Sequence, residues 1–510
     1  MASLLVAIDQ GTTGTQVAFH DTETLAPLAH AKAEFRQVFP EPGWVEHVPS
    51  DIWESLTQAY HLARAALARR HPTRARDTVA AIGITNQRET CLAWNKETGE
   101  SPYNAIVWQD RRTADACDAL RADAAGAKSL RAATGLVCDP YFSGTKMQWL
   151  LNNVEGVRTL AQHGRLCLGT IDAWLVWRMT GGKSFVTDHT NASRTLLYSL
   201  ASGDWHDDLL ARFDVARDQL PRVVPSIGDF GVTLGFLDLP DGTPITGVLG
   251  DQQAALFGQD AERPGDAKIT YGTGAFLLMH TGTEIVHADD GLLTTVACAD
   301  GGSGTSGTGG VVRTFAREGA AFIAGAAVQF VRDTFGWISN SAEIEAKAVS
   351  CVRDPGLVFV PALAGLPAPW WNPRARGALL GLSRGTTKEQ IMRAILESVA
   401  LQNTVLLGLM AKSSGLPLAR VGVDGGASQN DFLMQFQADV LQCTLRRPEH
   451  VETTSRGAVK AARYGLGLRT AVSQDDRSRD FAPRMSKTDA AKTNAAWQKA
   501  VRFVDEFSRN

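Results

Sequence analysis

The apolar positions of this chain fall into short runs that stop abruptly at clusters of glycine and hydroxyl residues. The first run, Val6-Ala7-Ile8, has strand character and passes through Asp9-Gln10 into Gly11-Thr12-Thr13-Gly14-Thr15. Gly11 and Gly14 let backbone turn tightly or approach a ligand, and the alternation in Gln16-Val17-Ala18-Phe19-His20 predicts a returning strand. Asp51 and Glu54 have capping-box spacing, and Ile52, Leu56, Ala59, Ala63 and Leu67 recur at helical spacing, which predicts an amphipathic helix. Two further apolar runs end in polar clusters. Val79-Ala80-Ala81-Ile82-Gly83-Ile84 leads into Thr85-Asn86-Gln87-Arg88-Glu89-Thr90, and Ala105-Ile106-Val107-Trp108 leads into Gln109-Asp110-Arg111-Arg112. Polar groups massed at strand ends mark a site in an α/β protein. Residues 139–153 then pass from a turn holding Tyr141 into an amphipathic helix.

Ile245-Thr246-Gly247-Val248-Leu249-Gly250 is another strand, tipped by Asp251, Gln252 and Gln253, and a domain boundary is expected just beyond it. The chain is therefore divided into 1–253 and 254–510. The second half repeats the logic of the first. Lys268-Ile269-Thr270-Tyr271-Gly272-Thr273-Gly274-Ala275-Phe276-Leu277 reads as strand, glycine turn, strand, and Val421 to Asn430 as strand, Asp-Gly-Gly turn, helix start. The longest expected helix follows Thr387, whose spacing to Gln390 fits a capping box; Ile391, Ile395, Val399 and Leu406 form its core stripe.

Any one glycine turn can be plain hairpin punctuation. Their recurrence points instead to phosphate cradling. The hydroxyls of Thr12, Thr13 and Thr15 and the turn N–H groups suit phosphate oxygens, and Asp9 is placed to hold Mg²⁺ through water. Two look-alike motifs fail. Gly302, Gly304 and Gly307 have GxGxxG spacing, but they lie in a Gly/Ser-rich run, 300–310, that reads as a mobile loop rather than a strand-to-helix junction. Gly182-Lys183-Ser184 lacks the upstream glycine of a P-loop, because Trp177 stands there.

Composition narrows the partners. At 510 residues the chain exceeds one ordinary core, and its 51 basic and 54 acidic side chains leave a net charge of −3. That gives no field for nucleic acid or an anionic membrane, so small solutes are the expected partners. Seven scattered cysteines without a CxxC pair read as reduced thiols in a cytoplasmic protein. Neither secretion nor membrane insertion is expected, since the N-terminus has no basic-then-apolar signal and no apolar run reaches about 18 residues.

The glycine turns and strand-end aspartates resemble those of the sugar kinase, actin and heat-shock ATPase superfamily. Two stretches resemble the FGGY carbohydrate kinases in particular: Tyr141 to Asn153, with Ser143, Lys146, Trp149 and Asn152-Asn153 in place, and Gly377-Ala378-Leu379-Leu380-Gly381-Leu382 through Gln390-Ile391 to Glu397. Gly83 to Thr90, Val107-Trp108-Gln109, Asp139-Pro140-Tyr141, Gly250 to Gln253 and Tyr271-Gly272-Thr273-Gly274 are similar to that family's glycerol-phosphorylating branch. The resemblance runs to about Gly467. It implies two ribonuclease-H-like (actin-like ATPase) α/β domains flanking a catalytic cleft, with ATP and Mg²⁺ as the phosphoryl donor and glycerol as acceptor. By the same resemblance Asp251 is the catalytic base, and Asp9 and Asp251 hold Mg²⁺. Arg88, Glu89, Trp108, Tyr141, Asp251, Gln252 and Phe276 bind the polyol. Thr13, Gly14, Thr15, Thr273, Gly325, Gln329, Gly426 and Asn430 bind the nucleotide. The resemblance also implies homodimers or homotetramers.

Two departures stand out. Gln16 replaces an arginine near the nucleotide phosphates, and Gly231 to Pro240 lacks the Gly/Lys/Arg-rich loop by which some relatives bind fructose bisphosphate. An FGGY kinase for another polyol or a ketose is the alternative. A catalytically silent nucleotide switch is a more distant one, and retention of Asp251 argues against it.

Overall fold

The computed structural model describes residues 3–302, 310–470, 472 and 478–509. Most of the Gly/Ser-rich run expected as a loop lies outside the described residues.

Two mixed sheets carry the chain. In the first, β1 (Ser3–Gln10), β2 (Gly14–Asp21) and β3 (Pro27–Glu34) form an antiparallel meander, and β4 (Thr78–Asn86) and β5 (Ile245–Gly250) add in parallel, giving the order β5-β4-β1-β2-β3. The second comprises β6 (Asp266–Tyr271), β7 (Ala275–Gly282), β8 (Leu293–Asp300), β9 (Val312–Ala321), β10 (Arg420–Asp424), β11 (Leu445–Arg447) and β12 (Arg479–Phe481), in the order β8-β9-β7-β6-β10-β11-β12. Its inner strands β9-β7-β6-β10-β11 repeat the order and directions of the first sheet. Each sheet opens with a hairpin closed by a glycine turn, four residues (11–14) in the first and three (272–274) in the second. Gln10 pairs with Thr15 across the first and Tyr271 with Ala275 across the second.

Helix α1 (Pro49–Arg70) buries Ile52, Leu56, Ala59, Ala63 and Leu67 against the first sheet, as its periodicity predicts. Its start differs. Val48 is the N-cap without a side-chain bond and Pro49 opens the first turn, so Asp51 and Glu54 form no capping box. Proline is suited there, since its missing N–H would have no helical partner. The apolar run at 105–108 contributes only the short strand Ala105–Ile106, because a turn follows at 108–109.

The longest helix, Lys388–Ser414, does carry the Thr387/Gln390 capping box, and it buries Ile395, Val399 and Leu406 in the core of the second half while Ile391 is only partly covered. Each such side chain contributes about 1.5–3 kcal/mol on burial. The helix is long and apolar enough to cross a membrane, yet 72% of its apolar window is buried inside the protein.

Two helices join the halves. Helix α2 (Asp251–Gly258) continues from β5, and α3 (Thr453–Gly465) returns from the second sheet to lie on β1, β4 and β5. Glycine sets their approach. A Cβ on Gly457 would sit 1.9 Å from the Ala254 oxygen, and one on Gly258 2.0 Å from the Thr453 oxygen. The start of each helix thereby lies at the junction of the sheets, where the polar strand ends meet.

Candidate active site

The first glycine turn is held by its carbonyl oxygens. Gln10 and Gln87 donate side-chain N–H groups to the Gly11 oxygen (2.7 and 3.2 Å), and Gln37, itself bound to His47, donates to the Thr12 oxygen (3.1 Å). The N–H groups of Thr12 and Thr13 have no partner among the described residues. A turn with its oxygens occupied and adjacent N–H groups free is an anion site. Gln37 and His47 were not legible in sequence, since they reach the turn from a separate loop and strand.

The three threonines separate. Thr13 is exposed with its hydroxyl free, but the Thr12 hydroxyl accepts the Trp108 indole N–H (3.0 Å). Thr15 is fully buried, its hydroxyl 2.7 Å from the Ser55 hydroxyl of α1. The expectation that the Thr15 hydroxyl serves phosphate is corrected accordingly, since it fastens β2 to a helix, while the Thr12 hydroxyl braces a neighbouring ring as acceptor and keeps its own proton to donate. The alternation of β2 turns Thr15 inward. Gly14 remains at the turn, and a Cβ there would meet the Ala33 oxygen at 2.6 Å.

Asp9, Gln16 and Lys32 are cross-strand partners on one row of the sheet. Burial first, then the carboxylates of Asp251 and Glu452, raise Asp9 to about 7, with Lys32 opposing. Lys32 thus places a cation beside the position where Gln16 supplies none.

Beyond β4, Arg88 and Glu89 are buried in an ion network rather than paired with each other at the surface. Arg88 donates from Nη1 and Nη2 to both oxygens of Glu318 (2.7 and 2.9 Å), from Nη1 to Gln253 (3.2 Å), and lies 3.3 Å through Nε from Asp251. Arg194 bridges Glu89 (2.6 Å) and Glu318 (2.9 Å). Burial alone would raise the Glu318 carboxyl, but Arg194 and Arg88 outweigh it and hold it at about 2. Burial raises Glu89 despite its two arginines. Glu89 also has a left-handed backbone (φ 62°), a costly conformation for a non-glycine residue, held in part by the Ser143 hydroxyl on its carbonyl oxygen (2.9 Å). Lys146 similarly donates to the Tyr141 oxygen (3.0 Å). Ser143 and Lys146 thereby position the loops on either side.

Trp108 and Tyr141 meet edge to face, ring centroids 5.5 Å apart, and the Tyr141 hydroxyl has no partner among the described residues. Burial, then Glu89, push that hydroxyl's ionisation well above its usual range, so it stays a donor. Phe276 and Glu318 lie on one face of the second sheet, through the pairs Phe276 with Ala320 and Leu278 with Glu318. Gln252 accepts from Lys268, a buried amine that also donates to Thr270 (2.8 Å). Burial lowers Lys268 to about 8 against the pull of Asp424 and Asp251.

The second turn is braced by backbone. The N–H groups of Ala324 and Ala326 bond the Thr273 oxygen, and that of Gly325 bonds the Gly272 oxygen (3.0 Å); a Cβ on Gly325 would lie 2.7 Å from that oxygen. The N–H groups of Thr273 and Gly274 have no partner among the described residues. Gln329 is exposed on the same short helix, and Gly426 has open space where a Cβ would stand. Asn430 is an N-cap, its Oδ1 accepting from Leu433 N–H (2.8 Å), and its NH₂ remains for a ligand. Arg194 and Glu318 are the charged residues that sequence reasoning missed.

The model for the FGGY family of carbohydrate kinases, N-terminal domain, matches residues 4–258, and that for the C-terminal domain matches 267–466. The chain belongs to the FGGY family of carbohydrate kinases. This carbohydrate kinase is 47% identical over 508 residues to glycerol kinase from Alkalilimnicola ehrlichii, covering 99% of each chain. It is also 47% identical over 505 residues to glycerol kinase from Myxococcus xanthus, covering 98% of this chain and 99% of that one. Its fold matches that of Plasmodium falciparum glycerol kinase with ADP, at a TM-score of 0.89, 30% identity, and 99% and 98% coverage. A xylulose kinase from Rhodospirillum rubrum, at 21% identity and a TM-score of 0.84, has the same fold. The ribonuclease-H-like, actin-like expectation is thus met by the twice-used strand order.

Proposed function

We propose that this kinase transfers the γ-phosphoryl group of ATP to a terminal hydroxyl of glycerol, giving sn-glycerol 3-phosphate. The observation that carries the reading is the convergence on Asp251. Its carboxylate lies at the junction of the halves, beside Arg88, within the electrostatic reach of Asp9, and two residues from the Gln253 that also holds Arg88. Asp251 accepts the proton of the attacking hydroxyl. Arg88 and Glu89 orient the neighbouring hydroxyls, Tyr141 donates to one of them, and the Trp108 and Phe276 rings line the carbon chain. A triol needs this mixture of donors, acceptors and apolar wall.

The free N–H pairs of the two turns, with Thr13 and Thr273, cradle the phosphates. Gly325, Gln329, Gly426 and the Asn430 amide border the nucleoside. Asp9 and Asp251 fit a magnesium ion, because burial first and then the Asp251 carboxylate raise Asp9 to about 7, a penalty that a cation between them relieves. Among the described residues no group of three or more His, Cys, Asp or Glu forms a fuller cage, which suits an ion that takes one or two carboxylates and completes its shell with phosphate and water. When bound, magnesium neutralises charge on the phosphates.

The test is ADP release from Mg·ATP over glycerol, dihydroxyacetone, erythritol, xylulose and ribulose. Highest kcat/KM with glycerol supports the reading, and phosphorylation of only a longer polyol or a ketose replaces it. Dimers or tetramers are expected and are read by sedimentation.

A further inference from the structure

Glu318 belongs to the second half of the chain, yet its carboxylate is spent entirely on the first. It sits on β9, which runs from the second sheet directly to the Gly325 helix that braces the nucleotide-side turn. Its oxygens take three bonds, two from Arg88 and one from Arg194. Arg88 and Glu318 are 2% and 3% exposed at their side chains, and Arg194 is fully buried, so no water stands in for a lost partner. Arg88 has no ionic partner of equal reach on its own half, whereas Arg194 has one in Glu89 at 2.6 Å. Arg88 touches Asp251 only through Nε at 3.3 Å, and Arg194 holds Glu89 through Nε alone.

A bidentate carboxylate fixes the plane of a guanidinium fork. Here that fork belongs to a polyol residue, and the carboxylate that fixes it is anchored in the other half. The carboxyl is ionised across the working pH range, so its service is geometric rather than protolytic.

We propose that Glu318 is a positioning residue: it sets Arg88 directly and Glu89 through Arg194, and so makes the affinity of the polyol pocket depend on the placement of the nucleotide half. The inference rests on the reading of Arg88 and Glu89 as polyol ligands. It goes beyond that reading in assigning a residue that touches neither substrate, and in coupling the two binding events. Coupling of this kind is commonly worth about 5- to 150-fold in affinity.

The experiment compares the wild-type protein with Glu318→Gln, which keeps size and loses charge, and Glu318→Asp, which keeps charge and loses reach. Glycerol affinity is measured by calorimetry with and without Mg·ADP, alongside KM for glycerol and Mg·ADP affinity without glycerol. In the wild-type protein Mg·ADP is expected to change glycerol affinity. In Glu318→Gln the glycerol KM is expected to rise roughly 5- to 150-fold, Mg·ADP affinity measured without glycerol to stay as it was, and the effect of Mg·ADP on glycerol affinity to disappear, with partial rescue in Glu318→Asp. A matching fall in Mg·ADP affinity without glycerol, an unchanged glycerol KM, or no effect of Mg·ADP on the wild-type protein each overturn the inference. If Glu318→Gln fails to fold, Arg194→Lys carries the same comparison. Failure of the underlying reading shows separately, as a wild-type protein that does not phosphorylate glycerol.

Discussion

The two glycine turns occupy equivalent places in equivalent sheets, but charge surrounds the first and backbone braces the second. At the first, the strand ends supply Asp9, Arg88, Glu89 and Asp251, and glutamine side chains hold the turn oxygens. At the second, Tyr271 stands where Gln10 stands in the first; it is fully buried, with its hydroxyl donating to Gln437 (3.0 Å), and helix N–H groups hold the turn. Two glycine hairpins of different length thus each leave a pair of N–H groups without a partner among the described residues. The side chains on the flanking strand ends are what distinguish the two copies.

Removing the chemistry from the first copy is the harshest test of that division. Asp251→Ala should lower kcat by about 10²- to 10⁴-fold while ADP binding measured without magnesium, followed by calorimetry, persists on the second copy. Loss of both together would mean that the turns are not separable. The converse is Gly325→Val, whose side chain meets the Gly272 oxygen and displaces the second turn. Overpacking of this kind costs about 1–3 kcal/mol, so the ATP KM should rise by about 5- to 150-fold, with glycerol affinity measured without nucleotide unchanged.

Asp9→Asn sharpens the comparison through pH. Asp9 titrates at about 7 in the folded chain and near 4 when unfolded. Between those values the folded state holds the extra proton, so native stability falls as pH rises from 4 to 7. The unfolding free energy of Asp9→Asn, read by denaturant titration, should therefore gain on wild type across this interval, by up to about 4 kcal/mol, while its affinity for Mg·ADP falls. In the wild-type protein that affinity should weaken as pH drops below about 7. No pH-dependent gain would mean that Asp9 lies in an ordinary environment.

The smallest effects distinguish neighbouring threonines. Thr15→Ala loses a buried hydroxyl pair and should cost about 1 kcal/mol of stability with little change in ATP KM. Thr13→Ala should leave melting unchanged and raise ATP KM about 2- to 10-fold.

Much of the fold was legible because its signals are local. Hydrophobic period, glycine turns and the Thr387/Gln390 cap are properties of neighbouring residues, and each hairpin appears where they place it. The convergence of Arg88, Glu89, Trp108, Tyr141 and Asp251 was legible through the resemblance, not through spacing. Local reading failed where a side chain's direction was needed. Thr12 and Thr15 look alike beside Thr13, yet one meets Trp108 and the other Ser55. It failed also at α1, where Pro49 rather than an acidic pair starts the helix.

The sequence by itself determined the two repeated sheets, the position of the turns and the residue types at the strand ends. Only the tertiary structure decided how the charges pair. Arg88 and Glu318 are 230 residues apart, and nothing in either neighbourhood names the other. A buried charge must find an opposite charge wherever the fold brings one, because leaving it unpaired costs more than any local preference can offset.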